Sequence, residues 1–165
     1  MHIETNKDIP MSGSVVNSGL SIMSGVSDNL PSDLTVYGGI DTSNPTFTKI
    51  PDHLTVYGGL NLWKAKQLES FGHGVTIYGD LQLYNNKIDT LPTDLIVYGD
   101  VDIVATKIKT ISKKTTIYGA LRIAGDTYFE FQDGYIVRGD LHLHGIHISI
   151  DTTRITVCGA INRHL

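Results

Sequence analysis

Apolar and polar residues alternate through a phrase that this chain writes again and again. In Leu95-Ile96-Val97-Tyr98-Gly99-Asp100-Val101-Asp102-Ile103, the residues Leu95, Val97, Val101 and Ile103 share one parity, and Gly99 sits at the centre of the series. The same frame holds Leu54, Val56, Leu60 and Leu62, and later Tyr135, Val137, Leu141 and Leu143. Val16, Leu20 and Ile22 form a degenerate first copy. A period of two predicts strand, with one row of side chains facing in and one facing out. The glycines Gly38, Gly58, Gly79, Gly99, Gly119, Gly139 and Gly159 recur at gaps of 20, with one gap of 21. A fixed period in this range identifies a solenoid.

The pattern therefore predicts an all-β chain, a β-helix-like solenoid of about eight coils of 20 residues. Each coil is expected to hold two short strands that meet at the glycine corner, where a missing side chain marks a bend or a close backbone approach. A Thr/Asn-x-Ile turn and a Leu-Pro opening then return the chain to the next rung. Proline stands at that opening in Pro31, Pro51 and Pro92, where the loss of an N–H is tolerated. Residues 1–13 read as a leader or cap and residues 14–165 as a single solenoid domain. The single extra residue falls near Ala65–Leu68. The runner-up is a leucine-rich-repeat-like horseshoe, to which Leu83 to Ile88 comes close. Against it, the asparagine slot of such a repeat holds Pro45, Ala65, Asn86, Thr106, Asp126 and Ile146 in successive coils.

Composition narrows the function classes. The 165 residues are 41% hydrophobic and 18% charged, and the formal net charge of -4 offers no basic field to nucleic acid or acidic lipid. The opening MHIETNKDIP lacks the blocks of a signal peptide, and no apolar run approaches membrane-spanning length. Cys158 is the sole cysteine, so no internal disulfide forms, and Asn44-Pro45-Thr46 carries proline where a glycosylation acceptor forbids it. A reducing cytoplasm is the expected location. No phosphate loop, nucleophile elbow, metalloprotease pair or Cys–His arrangement occurs, and no cofactor is expected.

The unit L-P-x-x-L-x-V-x-G-x-L-x-L-x-x-T-x-I, from about residue 14 to 165, resembles a class of bacterial and phage repeat proteins labelled leucine-rich. The V-x-G-x-L-x-L phrase is also similar to bactofilins, cytoskeletal β-helices that polymerise end to end, although the regular Leu-Pro opening departs from them. The first resemblance implies a small repeat protein that interferes with a host protein. The second implies self-assembly.

Candidate surfaces follow from the outward parity. Tyr37, Tyr57, Tyr78, Tyr98 and Tyr118 precede successive corner glycines, followed in the same slot by Arg138 and Cys158. Stacked coils place the five rings in one ladder, which either stabilises the rod or offers an aromatic face to a protein or sugar. Thr35, Thr55 and Thr76 begin an outward threonine row of the kind used to bind ice, but Ile96 and Ile136 interrupt it. Trp63, Tyr84 and Val104 share an outward slot on consecutive rungs. Large apolar groups without core duty suggest a partner surface, and these residues are the strongest candidates.

Further candidates weigh less. His142 and His144 share an outward face with His147 just beyond, a set that could reach one metal, although solvent-facing strand histidines explain it better. Arg138-Gly139-Asp140 spells an integrin tripeptide only because glycine and aspartate belong to the repeat. Gly125 to Asp133, with its carboxylates among aromatics, reads as a solvated turn rather than a catalytic pair.

At the C-terminal end, Ile155, Val157, Gly159 and Ile161 form a full strand frame, which predicts a homo-oligomer joined through that coil by Ile155, Val157, Ile161 and Leu165. The expected function is a non-enzymatic protein-binding module that presents aromatic columns to a partner. Alternatives are a self-assembling structural element and a carbohydrate-binding or carbohydrate-cleaving β-helix.

Overall fold

Backbone hydrogen bonds run from each pass of the chain to the next, almost always about 20 residues away in sequence, as in Tyr57 N–H to the Val36 carbonyl and Tyr78 N–H to the Val56 carbonyl. The computed structural model describes residues 1–125, 128–145 and 151–164. Its strands are short, parallel and stacked rung on rung into a β-solenoid of about eight coils.

One side of the coil builds a nine-stranded sheet. It runs in chain order through His2–Ile3, Leu20–Ile22, Ile40–Thr42, Leu60–Asn61, Leu81–Tyr84, Val101–Val104, Leu121–Ala124, Leu141–His144 and Ile161–His164. A second side, just before the glycine corner, builds a six-stranded sheet from Val15–Val16 to Thr116–Ile117, and Ile136–Val137 pairs with Thr156–Val157 farther on. Register is strict: Leu81 lies on Val101, Val101 on Leu121 and Leu121 on Leu141.

The inward parity is the core. Leu95, Val97 and Val101 are fully buried and Ile103 nearly so, as are Leu54, Val56, Leu60 and Leu62, and Tyr135, Val137, Leu141 and Leu143 follow. Val16 packs against this core half-buried, while Leu20 and Ile22 are buried. Burial on both sides of every inner rung explains why a run of eight near-identical phrases is needed: no coil can cover its own apolar row.

The corner glycines have a steric cause. A Cβ on Gly79 would stand 2.6 Å from the Gly58 carbonyl carbon, and one on Gly99 2.5 Å from that of Gly79. Real Cβ atoms do not approach backbone so closely, so each corner presses on the one before it. The aspartates that follow three of the corners complete the packing. Asp80, Asp100 and Asp140 each accept a hydrogen bond from the backbone N–H one coil on, at Asp100, Ala120 and Ala160, over 2.7–2.8 Å.

Two features differ from the expectation. The stretch read as turn plus Leu-Pro opening is a third side of the coil, with its own short pairs, Lys49–Ile50 on Ser70–Phe71 and Thr110–Ile111 on Glu130–Phe131. Its inward file, which includes Phe47, Leu68, Ile88 and Ile108, is buried, and with apolar residues spaced irregularly around a bend it hides from a period-two reading. The run after Gly125 is likewise not a solvated turn along its described length. Phe129 is fully buried, and Phe131 stacks on buried Tyr135 with ring centres 5.2 Å apart. Asp126 and Ile146 lie outside the described residues.

Residues 1–13 enter the nine-stranded sheet through His2–Ile3, paired with Ser21 and Ile22, and Ile3 is fully buried. A short 3₁₀ turn, Asn6–Asp8, follows and is closed by a Thr5–Asp8 capping box. The extra residue between Ala65 and Leu68 is absorbed by tight turns, in which Ala65 N–H bonds the Leu62 carbonyl and Leu68 N–H the Ala65 carbonyl. No helix among the described residues is long and apolar enough to cross a membrane.

Candidate functional site: the outer face of the nine-stranded sheet

The outward parity of the longest sheet carries two files of side chains. One holds Ser21, Asp41, Asn61, Gln82, Asp102, Arg122, His142 and Asn162, and the other holds Met23, Ser43, Trp63, Tyr84, Val104, Ala124, His144 and His164. Strand alternation places the first file, and the second continues its parity into the turn that ends each strand, with Asp102 the one member of the first file that is itself buried.

Trp63 is 55% exposed and stands at the crest of this face. Its position is built from below. Asn61 Oδ1 accepts the Trp63 N–H at 3.0 Å, and Thr42 Oγ1 donates to the carbonyls of Asn61 and Trp63, each at 3.1 Å. The strand stops at Asn61, and Lys64 turns the chain through a left-handed φ of 68°. The Lys64 ammonium lies 4.9 Å from the indole centre. Tyr84 meets Trp63 edge to face, with ring centres 6.5 Å apart and planes at 60°. Val104, one rung on, is half-buried. The structure therefore brings the three predicted residues into one file, with Trp63 the most exposed.

Tyr84 is anchored by polar chemistry that sequence reasoning missed. Its hydroxyl donates to Asp102 Oδ2 at 2.8 Å, and Arg122 Nη1 donates to Asp102 Oδ1 at 2.9 Å. Partial burial and then the Asp102 carboxylate push the Tyr84 phenol above its ordinary pKa. The signal was present in the sequence, because 84, 102 and 122 fall on adjacent outward positions of three consecutive rungs.

The tyrosine file forms as expected. Rings of Tyr37, Tyr57, Tyr78, Tyr98 and Tyr118 stack face to face with centres 4.6–4.9 Å apart, and each is 43–54% exposed. The Arg138 guanidinium covers the last ring at 5.1 Å. Because each face meets the next ring, the ladder presents edges and hydroxyls to solvent rather than open π faces. Arg138 is thereby a member of the ladder, and the Arg-Gly-Asp spelling is a by-product of the repeat.

His142 and His144 do share the outer face, and His144 stacks on His164 at 4.6 Å. Withdrawal from water, then His164 and Arg122, hold the His144 imidazole below its ordinary pKa. His147 lies outside the described residues. Among those described, no three His, Cys, Asp or Glu side chains gather to hold a metal. On the C-terminal coil, Ile155 and Val157 are half-buried and Ile161 is 44% exposed, while Leu165 lies outside the described residues. Cys158 is an exposed free thiol.

Compared with protein-family models, with curated proteins and with solved structures, the chain matches none.

Proposed function

We propose that this protein is a non-enzymatic binding module, a rigid β-solenoid that presents Trp63, Tyr84 and Val104 to a protein partner, with the tyrosine ladder as a second aromatic column across the glycine corner. The observation that carries this reading is the state of Trp63: 55% exposed, without core duty, yet fixed by Asn61, Thr42 and Tyr84. An aromatic anchor that is already ordered loses little entropy on binding, which is what a recognition surface requires. The module would act in a reducing cytoplasm, where Cys158 stays a thiol, and the resemblance to phage repeat proteins favours a host protein as target. The test is capture from host lysate by the intact protein and by Trp63→Ala and Tyr84→Ala. The captured partner should be lost in both variants while solution size and melting temperature hold, and retention of the partner by both would refute the assignment.

A second reading, end-on self-association of the bactofilin kind, is favoured by exposed Ile161 beside half-buried Ile155 and Val157. Ile161→Lys should then reduce solution size without affecting capture of a partner through Trp63. A clean monomer of about 18 kDa at micromolar concentration before any substitution would remove this reading.

A further inference from the structure

Three concavities on the outer face of the nine-stranded sheet run into one another along the solenoid axis. One of about 260 Å³ lies over Met1, His2, Gly19, Ser21, Gly39 and Asp41. The next, about 210 Å³, shares Gly39 and Asp41 and extends over Gly59, Asn61, Asp80 and Gln82. The third, about 300 Å³, continues from Gln82 to Trp63 and Tyr84.

This groove exists because the file beside the corner holds Gly19, Gly39 and Gly59 before it holds Asp80, Asp100 and Ala120. The later residues show that the backbone here accepts a Cβ. A Cβ would stand 3.3 Å from the next carbonyl oxygen at Gly59, 3.1 Å at Gly19 and 3.0 Å at Gly39, whereas the true corner glycines would bring one to within 2.3–2.8 Å of backbone. Stacking therefore does not demand glycine at 59, and at 19 and 39 a side chain asks the neighbouring rung to give by a few tenths of an ångström. Their effect is to leave the groove open.

The lining has a definite chemistry. Its middle carries the carboxylates of Asp41 and Asp80 and the primary amides of Asn61 and Gln82, while cations stand only at its two ends: the Met1 α-ammonium, bonded to the Gly19 carbonyl at 2.7 Å, with His2 beside it, and the Lys64 ammonium on Trp63. Asp41 is exposed, and Asp80 gives one oxygen to the Asp100 N–H at 2.8 Å, leaving the other unengaged. Asn61 uses its oxygen on Trp63, so its NH₂ remains to donate outward. A primary amide both donates and accepts, as a peptide link does, and two carboxylates along one groove of a chain of net charge -4 attract cationic side chains.

We infer that this groove binds an extended basic segment of a protein partner, with lysine or arginine side chains on Asp41 and Asp80 and an apolar side chain against Trp63 and Tyr84. The inference rests on the protein-binding reading above and specifies the ligand for that surface. The groove floor spans four rungs at about 4.8 Å, and an extended chain advances about 3.3 Å per residue, so four or five residues fill it.

The test is selection of a displayed library of random linear heptapeptides on the intact protein. Enriched peptides should carry at least two basic residues and one aromatic or aliphatic residue. A synthetic copy of the most enriched one should bind more weakly as salt rises. Its affinity should fall about tenfold in Asp41→Asn and in Gly59→Asn, the latter a side-chain shape already present in this file at Asp80. Asp41 is exposed, so its variant separates lost binding from lost folding. No enrichment of basic residues, or binding unchanged in both variants, overturns the inference. So does a neutral oligosaccharide that binds the protein and is lost in Gly59→Asn. Should a lysate partner depend on Trp63 but survive both groove variants, the protein-binding reading stands and the peptide groove falls.

Discussion

Two glycine files, one residue apart in sequence, have opposite physical standing. At Gly79 an added methyl meets the Gly58 carbonyl carbon at 2.6 Å, with nowhere for the neighbouring backbone to go, because it is held in register on its far side too. Gly79→Ala should cost about 3 kcal/mol by urea unfolding, the upper range for overpacking a well-packed site. Gly59→Ala should cost no more than about 1 kcal/mol, since its methyl faces one carbonyl oxygen at 3.3 Å and loses chain entropy in the unfolded state. Equal losses at the two sites would show that the corner is not where the coils press together. The 20-residue spacing made the first file legible in the sequence. The second was invisible, because a glycine that leaves space open and one that avoids a clash are the same letter until a neighbouring rung is placed beside them.

Among elements, the strands before and after the corner were legible because together they keep strict alternation through four apolar positions with the glycine at the centre. The third side was not. Its inward residues, such as Phe47 and Ile50 or Ile108 and Ile111, are three apart around a bend, and strand pairing there is only two residues long. Parity and the 20-residue period placed the aromatic columns, and the same period put Asp102 and Arg122 one and two rungs beyond Tyr84, but which polar side chains bond one another shows only when the rungs are placed side by side.

The strand Leu141–His144 carries its own pH dependence. His144 faces Arg122, His142 and His164, with Asp102 as the opposing charge, and its folded pKa lies below its ordinary 6.5. The neutral ring is thus favoured in the folded state. Its contribution is complete above the unfolded value and is lost as pH falls through the window between the unfolded and the lower folded value. Melting temperature should fall as pH drops below about 6.5, and His144→Gln should flatten that slope. An unchanged slope in the variant would assign the dependence to other histidines.

At the scale of the whole molecule, each coil is bound to its neighbours alone, so the rod is nearly one-dimensional. Removing residues 81–100, one whole repeat of 20, joins Asp80 to Val101 and restores every file. That shorter protein should fold cooperatively at a lower melting temperature. Removing 81–99 instead shifts inward residues to outward positions and should yield no cooperative transition. The groove and the Trp63 crest both depend on this registration, because their residues are far apart in sequence and meet only across rungs.

The most direct measurement is a disulfide cross-link in a Cys158→Ser background. Thr55 lies directly on Thr76 in the six-stranded sheet, while Ile77 points into the core. In-register rungs bring the paired Cα atoms to about 4.8 Å, within disulfide range. Thr55→Cys with Thr76→Cys should oxidise readily in the native protein, and Thr55→Cys with Ile77→Cys should not. Cross-linking of the second pair but not the first, or of both equally, would contradict the stacked register on which the binding face is built.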